Sequence, residues 1–168
     1  MTTPTQSRMT SKTGCVFLVS CGKTKQKSTV PAKELYTSDR FKRERASVEA
    51  TGCPWFVLSA KHHLLCPDEI IAPYDKALGE ATQEDREAWA EEVKRQMDKY
   101  LPDGEIIVIL AEKDYYEDLI PYLKKRFEKV MIPVVECHWR LCAKRKCREM
   151  RDRVFKFLFL MFRFRSSK

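Results

Sequence analysis

A mainly parallel α/β sheet flanked by helices is the fold this sequence predicts, and three observations predict it. Short apolar runs rich in β-branched residues alternate along the chain with segments of helical periodicity. The runs are six or seven residues long and hydrophobic almost throughout, as strands buried on both faces must be. Finally, 168 residues with 43% hydrophobic content suffice for one core and favour a single domain.

The elements follow in order. Residues 1–13 are rich in Thr and Ser and are expected to be a flexible tail. "CVFLVS" (15–20) is the first strand. Ser38 is placed to cap a helix over 38–51 that stops near Gly52. "WFVLSA" (55–60) is the second strand, and it runs into "KHHLLCPDEIIAPYD", where Pro67 and Pro73 predict a loop. Thr82 caps a long helix whose first turns are acidic (Glu84, Asp85, Glu87) and whose last are basic (Lys94, Arg95, Lys99). That charge order complements the helix dipole. "EIIVILA" (105–111) gives a third strand, "YYEDLIPYLKKRF" (115–127) a third helix and "KVMIPVV" (129–135) a fourth strand. The α/β domain is thus expected over 14–135, with about four strands, followed by a basic, aromatic-rich extension over 136–168.

In parallel sheets ligands sit beyond the carboxyl ends of the strands. Here those ends read "SCGKTK", "SAKHH" and "AEKDYY", each with a lysine close by: Lys23, Lys61 and Lys113. Three cationic tips converging in this geometry predict a pocket for an anionic ligand.

The charge distribution points the same way. The chain carries a net +8, and from Glu136 onward eleven basic residues face three acidic ones, so the extension holds the whole excess. Arg140, Lys144, Arg145, Lys146 and Arg148 head this stretch and are the expected nucleic-acid contacts. A solvated basic helix is the plain alternative. "FKFLFLMFRFR" interleaves aromatics with cations, which suits base stacking, a membrane-surface anchor or self-association. Its apolar core is far shorter than the roughly 20 residues a membrane helix needs.

Seven scattered cysteines and a polar, leaderless amino end predict free thiols and a cytoplasmic protein. Cys137, Cys142 and Cys147 beside His138 lack the C-x2-C spacing of a zinc knuckle, so no metal is expected, and no motif calls for a cofactor.

Individual residues admit sharper readings. Gly22 permits positive φ or close backbone approach, and with Ser20 and Lys23 it can meet a phosphate, although the spacing is not that of a Walker loop. Cys21 is a candidate nucleophile favoured by neighbouring lysines, or a small packing residue. Ser59, Lys61 and His62 bring a hydroxyl, a cation and an imidazole to one strand tip. His62 would act as a general acid or base, or would simply tie down the loop. Asp75 offers a carboxylate for a cationic transition state or for water activation, or a helix cap. Tyr36, Tyr74 and Tyr115, with Ser38, would line the pocket and stack on a base, or pack in the core.

The motifs "LVSCGKTK", "AKELYTSDRFKRERA", "WFVLSAKHHLL", "APYDKAL" and "VILAEKDYYEDLIPYL" carry a resemblance over residues 15–135. They resemble a bacterial and phage domain family of unknown function with the pattern SCGxxK…LYxSxxF…LSAKHGL…YD, itself distantly similar to the YaaA proteins of the peroxide-stress response. Ser20, Cys21, Gly22, Lys23, Tyr36, Ser38, Ser59, Lys61, His62, Tyr74 and Asp75 match its motif positions. His63 stands where that pattern has glycine, and "CHWRLCAKRKCREM" replaces its usual ending. The resemblance implies a compact α/β domain. Through relatives with DNA-binding, tRNA base-exchanging and uracil-DNA-glycosylase-like features, it also implies a nucleic-acid or nucleotide role by analogy.

The expected function is therefore a nucleobase N-glycosidase or base-exchange enzyme, with His62 and Asp75 as the polar pair and Lys23 and Lys61 on phosphate. The alternatives are a non-catalytic DNA- or RNA-binding module and a binding domain for a small anionic metabolite.

Overall fold

The structure, a computed structural model, describes residues 13–133. It is an α/β domain on a five-stranded, mostly parallel sheet. In chain order come β1 (Thr13–Ser20), β2 (Val30–Pro31), α1 (Ala32–Leu35), α2 (Asp39–Glu49), β3 (Trp55–Ser59), β4 (His63–Leu65) and β5 (Ile70–Ile71). Then follow α3 (Gln83–Tyr100), β6 (Gly104–Leu110), α4 (Lys113–Tyr116), α5 (Ile120–Arg126) and β7 (Lys129–Met131). The basic set from Arg140 to Arg148, the aromatic end and most of the amino-terminal tail lie outside the described residues.

The sheet order is β4-β3-β1-β6-β7. β1 is the central strand and runs parallel to both neighbours, pairing Phe17 with Trp55 on one side and Val108 on the other. Consecutive side chains on a strand face opposite ways. Since Val16, Phe17, Leu18 and Val19 are all fully buried, both faces of the sheet are covered. α2 packs on β1, α3 on β4 and α5 on β7. Each large aliphatic or aromatic side chain so enclosed contributes about 1.5–3 kcal/mol.

Local signals explain most boundaries. Ser38 Oγ accepts the Phe41 N–H and starts α2, and Thr82 Oγ1 does the same for Asp85 at the start of α3. Gly52, at φ +68°, completes the turn after α2, a conformation that side chains resist.

Three regions differ from the sequence expectation. The 61–75 segment is not all loop: β4 pairs antiparallel with β3, and β5 pairs with β2 in a separate two-stranded sheet. These strands are two or three residues long and are formed by tertiary pairing, with Pro67 and Pro73 falling outside them. The expected helix over 115–127 is divided into α4, a 3₁₀ turn (Glu117–Leu119) and α5, because Pro121 has no N–H to donate into a preceding turn. The last strand ends at Met131 within the described residues, and 134–135 lie outside them.

Candidate functional site

β1 is the point where the chain reverses its direction of winding. The connection after β1 leads to β3 on one side, and a later one returns to β6 on the other side. Such a switch point opens a crevice at the carboxyl end of the central strand, where "SCGKTK" begins.

Ser20 is fully buried there, and its Oγ accepts from Arg40 Nη2 at 2.6 Å. The same guanidinium lies 3.2 Å from Glu112, just beyond β6, and 3.7 Å from buried Glu44 on α2. Arg40 therefore ties three elements together at the mouth of the crevice. Its planar fork suits this use, since one cation can meet several acceptors in fixed directions.

Gly22 serves close approach only. It has no positive φ, but a Cβ at this position would lie 2.7 Å from Ser38 Oγ. Removing the side chain lets the tip of β1 sit on the first turn of α2, which explains why the glycine and the Ser38 cap belong to one constellation.

Beneath the tip lies a cluster of hydroxyls. Cys21 Sγ is 3.2 Å from Tyr115 Oη, Ser59 Oγ is 2.7 Å from Tyr74 Oη, and Tyr74 Oη is 3.0 Å from Tyr36 Oη. Ser59 is fully buried and accepts the N–H groups of Lys61 at 3.3 Å and His62 at 3.1 Å. Those two bonds use both of its lone pairs, so its own proton goes to Tyr74. Tyr74 and Tyr36 then hold two O–H protons for the one bond between them. One phenol proton is left for an acceptor outside the cluster. Burial pushes Tyr36 up to about 12 and raises Tyr74 and Tyr115 as well. All three phenols remain O–H donors at neutral pH. Trp89 supports the floor by donating its indole N–H to Ser59 O at 2.9 Å and meeting Tyr115 edge-on.

Two cations roof this cluster. Lys25 Nζ lies 4.4 Å and Lys61 Nζ 5.8 Å from the centre of the Tyr74 ring. His62 packs edge-on against the same ring, and its Nε2 is enclosed with no hydrogen-bond partner among the described residues. Burial, aided by Lys61, lowers its pKa from the ordinary 6.5, so the imidazole is neutral at pH 7. Lys61 and His62 also border a cleft of about 470 Å³ lined by Leu64 of β4 and by Gln96 and Tyr100 of α3.

The fold thus gathers Ser20, Cys21, Gly22, Tyr36, Ser38, Ser59, Lys61, His62, Tyr74 and Tyr115 around one crevice. Tyr36 and Tyr115 bury their rings, so they present hydroxyls and no open stacking face. Lys25, not Lys23, covers the cluster; Lys23 is exposed and supplies its carbonyl to Lys25. Asp75 is exposed and makes no hydrogen bond or ion pair with His62. Lys113 pairs with Glu117 on its own helical segment, 3.2 Å away. Sequence reasoning passed over Arg40, Lys25 and Trp89. Arg40 had a signal, since it lies two residues past Ser38 on the first turn of α2. Among the described residues, no three His, Cys, Asp or Glu side chains come together in a group that could hold a metal ion.

The chain belongs to a family described as "Family of unknown function (DUF6884)", which matches residues 16–140. No curated protein and no solved structure matches the chain.

Proposed function

For this member of a family without an assigned activity, we propose a protein that acts on a nucleotide or nucleic acid and grips a phosphate at the carboxyl end of β1. One observation carries the proposal: a hydroxyl cluster with a surplus phenol donor lies under Lys25 and Lys61 at the switch point of the sheet. A phosphate oxygen takes the spare O–H, and the two ammonium groups neutralise its charge. Partial burial strengthens both interactions relative to water.

His62 favours N-glycosidic cleavage or base exchange as the accompanying chemistry. A neutral imidazole with an unengaged ring nitrogen beside the cations is poised to exchange a proton with the nitrogen of a departing base. Asp75, exposed and unjoined to His62, gives that chemistry less support than the phosphate grip has.

Calorimetric titration with nucleoside monophosphates and short single-stranded oligonucleotides tests the grip, and chromatography of the same mixtures tests for released base. Lys61→Ala and Tyr74→Phe are each expected to weaken binding about tenfold or more, the value of one charge-assisted hydrogen bond. Released base that disappears in His62→Ala while binding persists supports the enzymatic reading. Binding indifferent to both grip substitutions overturns the site and leaves the basic extension as the binding element. Binding of inorganic phosphate without any nucleotide preference points to a small anionic metabolite.

A further inference from the structure

The other end of β1 carries a second cluster that the phosphate site does not use. β1 and β3 are parallel, with Phe17 opposite Trp55, and the Phe17 N–H continues the ladder to Pro54 O at 3.0 Å. Two residues earlier on each side stand Cys15 and Cys53. Cys15 stands on β1 and Cys53 in the turn two residues before β3 begins, so continuing the ladder past Pro54 brings the two residues side by side. Neighbouring strands lie about 4.8 Å apart, within the Cα separation of about 4.4–6.8 Å that a disulfide spans. The two thiols are near enough to perturb each other's titration, Cys15 Sγ lying 3.9 Å from Val16 O and Cys53 Sγ 3.9 Å from Thr51 O. Cys15 is fully buried, whereas Cys53 is only partly so.

Burial and proximity divide the labour between the sulfurs. The neighbouring Cys15 thiol holds the Cys53 thiol below its ordinary range and makes it the readier thiolate. The neighbouring Cys53 and complete burial raise Cys15, which keeps its proton. Neither other described cysteine has such a partner: Cys21 bonds to Tyr115, and Cys66 is exposed.

We infer that Cys15 and Cys53 form an oxidisable dithiol, a modification site that a small disulfide such as oxidised glutathione closes into an internal disulfide. Cys53, partly exposed and deprotonated, attacks one sulfur of the oxidised glutathione. The external S–S bond breaks, and the first glutathione leaves as a thiolate that takes up the proton Cys53 released. Cys15 then gives up its proton as its sulfur displaces the second glutathione from Cys53, and that proton ends on the departing thiolate. In sum, two protein S–H groups and one external S–S bond become one protein S–S bond and two glutathione S–H groups. Two electrons pass from the protein to glutathione.

This inference is independent of the ligand at the opposite end of the strand. The test incubates the full chain in glutathione redox buffers, blocks remaining thiols and maps the peptides by mass spectrometry. The wild type is expected to yield the Cys15–Cys53 crosslinked peptide, lighter by two hydrogens than the reduced pair. Cys53→Ser is expected to leave Cys15 reduced. Cys15→Ala, which keeps the buried position apolar, is expected to trap Cys53 as its glutathione adduct. Circular dichroism confirms that each variant is folded. A wild type whose Cys53 stays reduced, stops at the glutathione adduct or crosslinks instead to another cysteine overturns the inference.

Discussion

The two ends of β1 are built from the same buried strand yet carry opposite kinds of chemistry. At the carboxyl end a serine, a cysteine and a glycine meet an arginine, three phenols and two lysines, drawn from segments as distant as Tyr36 and Tyr115. At the amino end the pair joins β1 to the turn that leads into β3, beside the start of one ladder. The comparison teaches what each end can tolerate. A site assembled from many loops depends on every close approach between them, whereas a site made by register depends only on the strands staying paired.

The sharpest way to break the comparison is Arg40→Ala. It removes the donor to buried Ser20 and the cation beside buried Glu44, and a loss of about 3 kcal/mol is expected in urea denaturation. The corresponding loss for Cys53→Ser under reducing conditions is expected to stay below about 1 kcal/mol. Gly22→Ala comes next. Its methyl group would collide with Ser38, so about 2 kcal/mol should be lost. Ser38→Gly in the same chain should recover most of it, because glycine costs a helix cap only a few tenths of a kcal/mol. Failure of that rescue would show that the β1 tip does not rest on α2 as described.

His63→Gly should act in the other direction. His63 opens β4 at φ +65°, where a side chain costs about 1–2 kcal/mol and glycine nothing. Against this stands the greater entropy glycine loses on folding, about 0.5–1 kcal/mol. A net gain of about 0.5 kcal/mol is expected in the denaturation midpoint.

The smallest effect is the pH response. Burial lowers both His62 and His63 from 6.5, so the fold prefers their neutral forms. Their contribution is complete above pH 6.5 and is lost as pH falls through the lowered folded values, because the unfolded chain then binds more protons. The melting temperature should therefore drop between about pH 7.5 and about pH 5.5, and less so in the His62→Gln, His63→Gly double variant.

What could be read from the sequence followed the range of each signal. The strand cores over 15–20, 55–60 and 105–111 and the Ser38 and Thr82 caps were legible because apolar runs and caps act over a few residues. β2, β4 and β5 were not, since strands of two or three residues exist only through their partners. Of the three strand-tip lysines expected to converge, Lys23, Lys61 and Lys113, only Lys61 stands by the Tyr74 ring; Lys25 joins it there, and choosing Lys25 over Lys23 needs the path of the turn. The place of Arg40 two residues past Ser38 was a local signal, but its partners lie 20 and 72 residues away, a separation that no local pattern records.

Trp89 gives the molecule an internal optical probe. Its indole is buried, bonded to the carbonyl of Ser59 and edge-on to Tyr115, so it touches both arms of the hydroxyl cluster. Fluorescence from this one side chain responds to any ligand that rearranges those arms, without a label. Trp55 is also buried, at the start of β3 two residues after Cys53, and thus reports from the opposite end of the ladder. With Trp139, the third tryptophan, replaced by phenylalanine throughout, further single replacements of Trp55 or Trp89 would separate the two emissions and let ligand occupancy and thiol oxidation be followed in one cuvette.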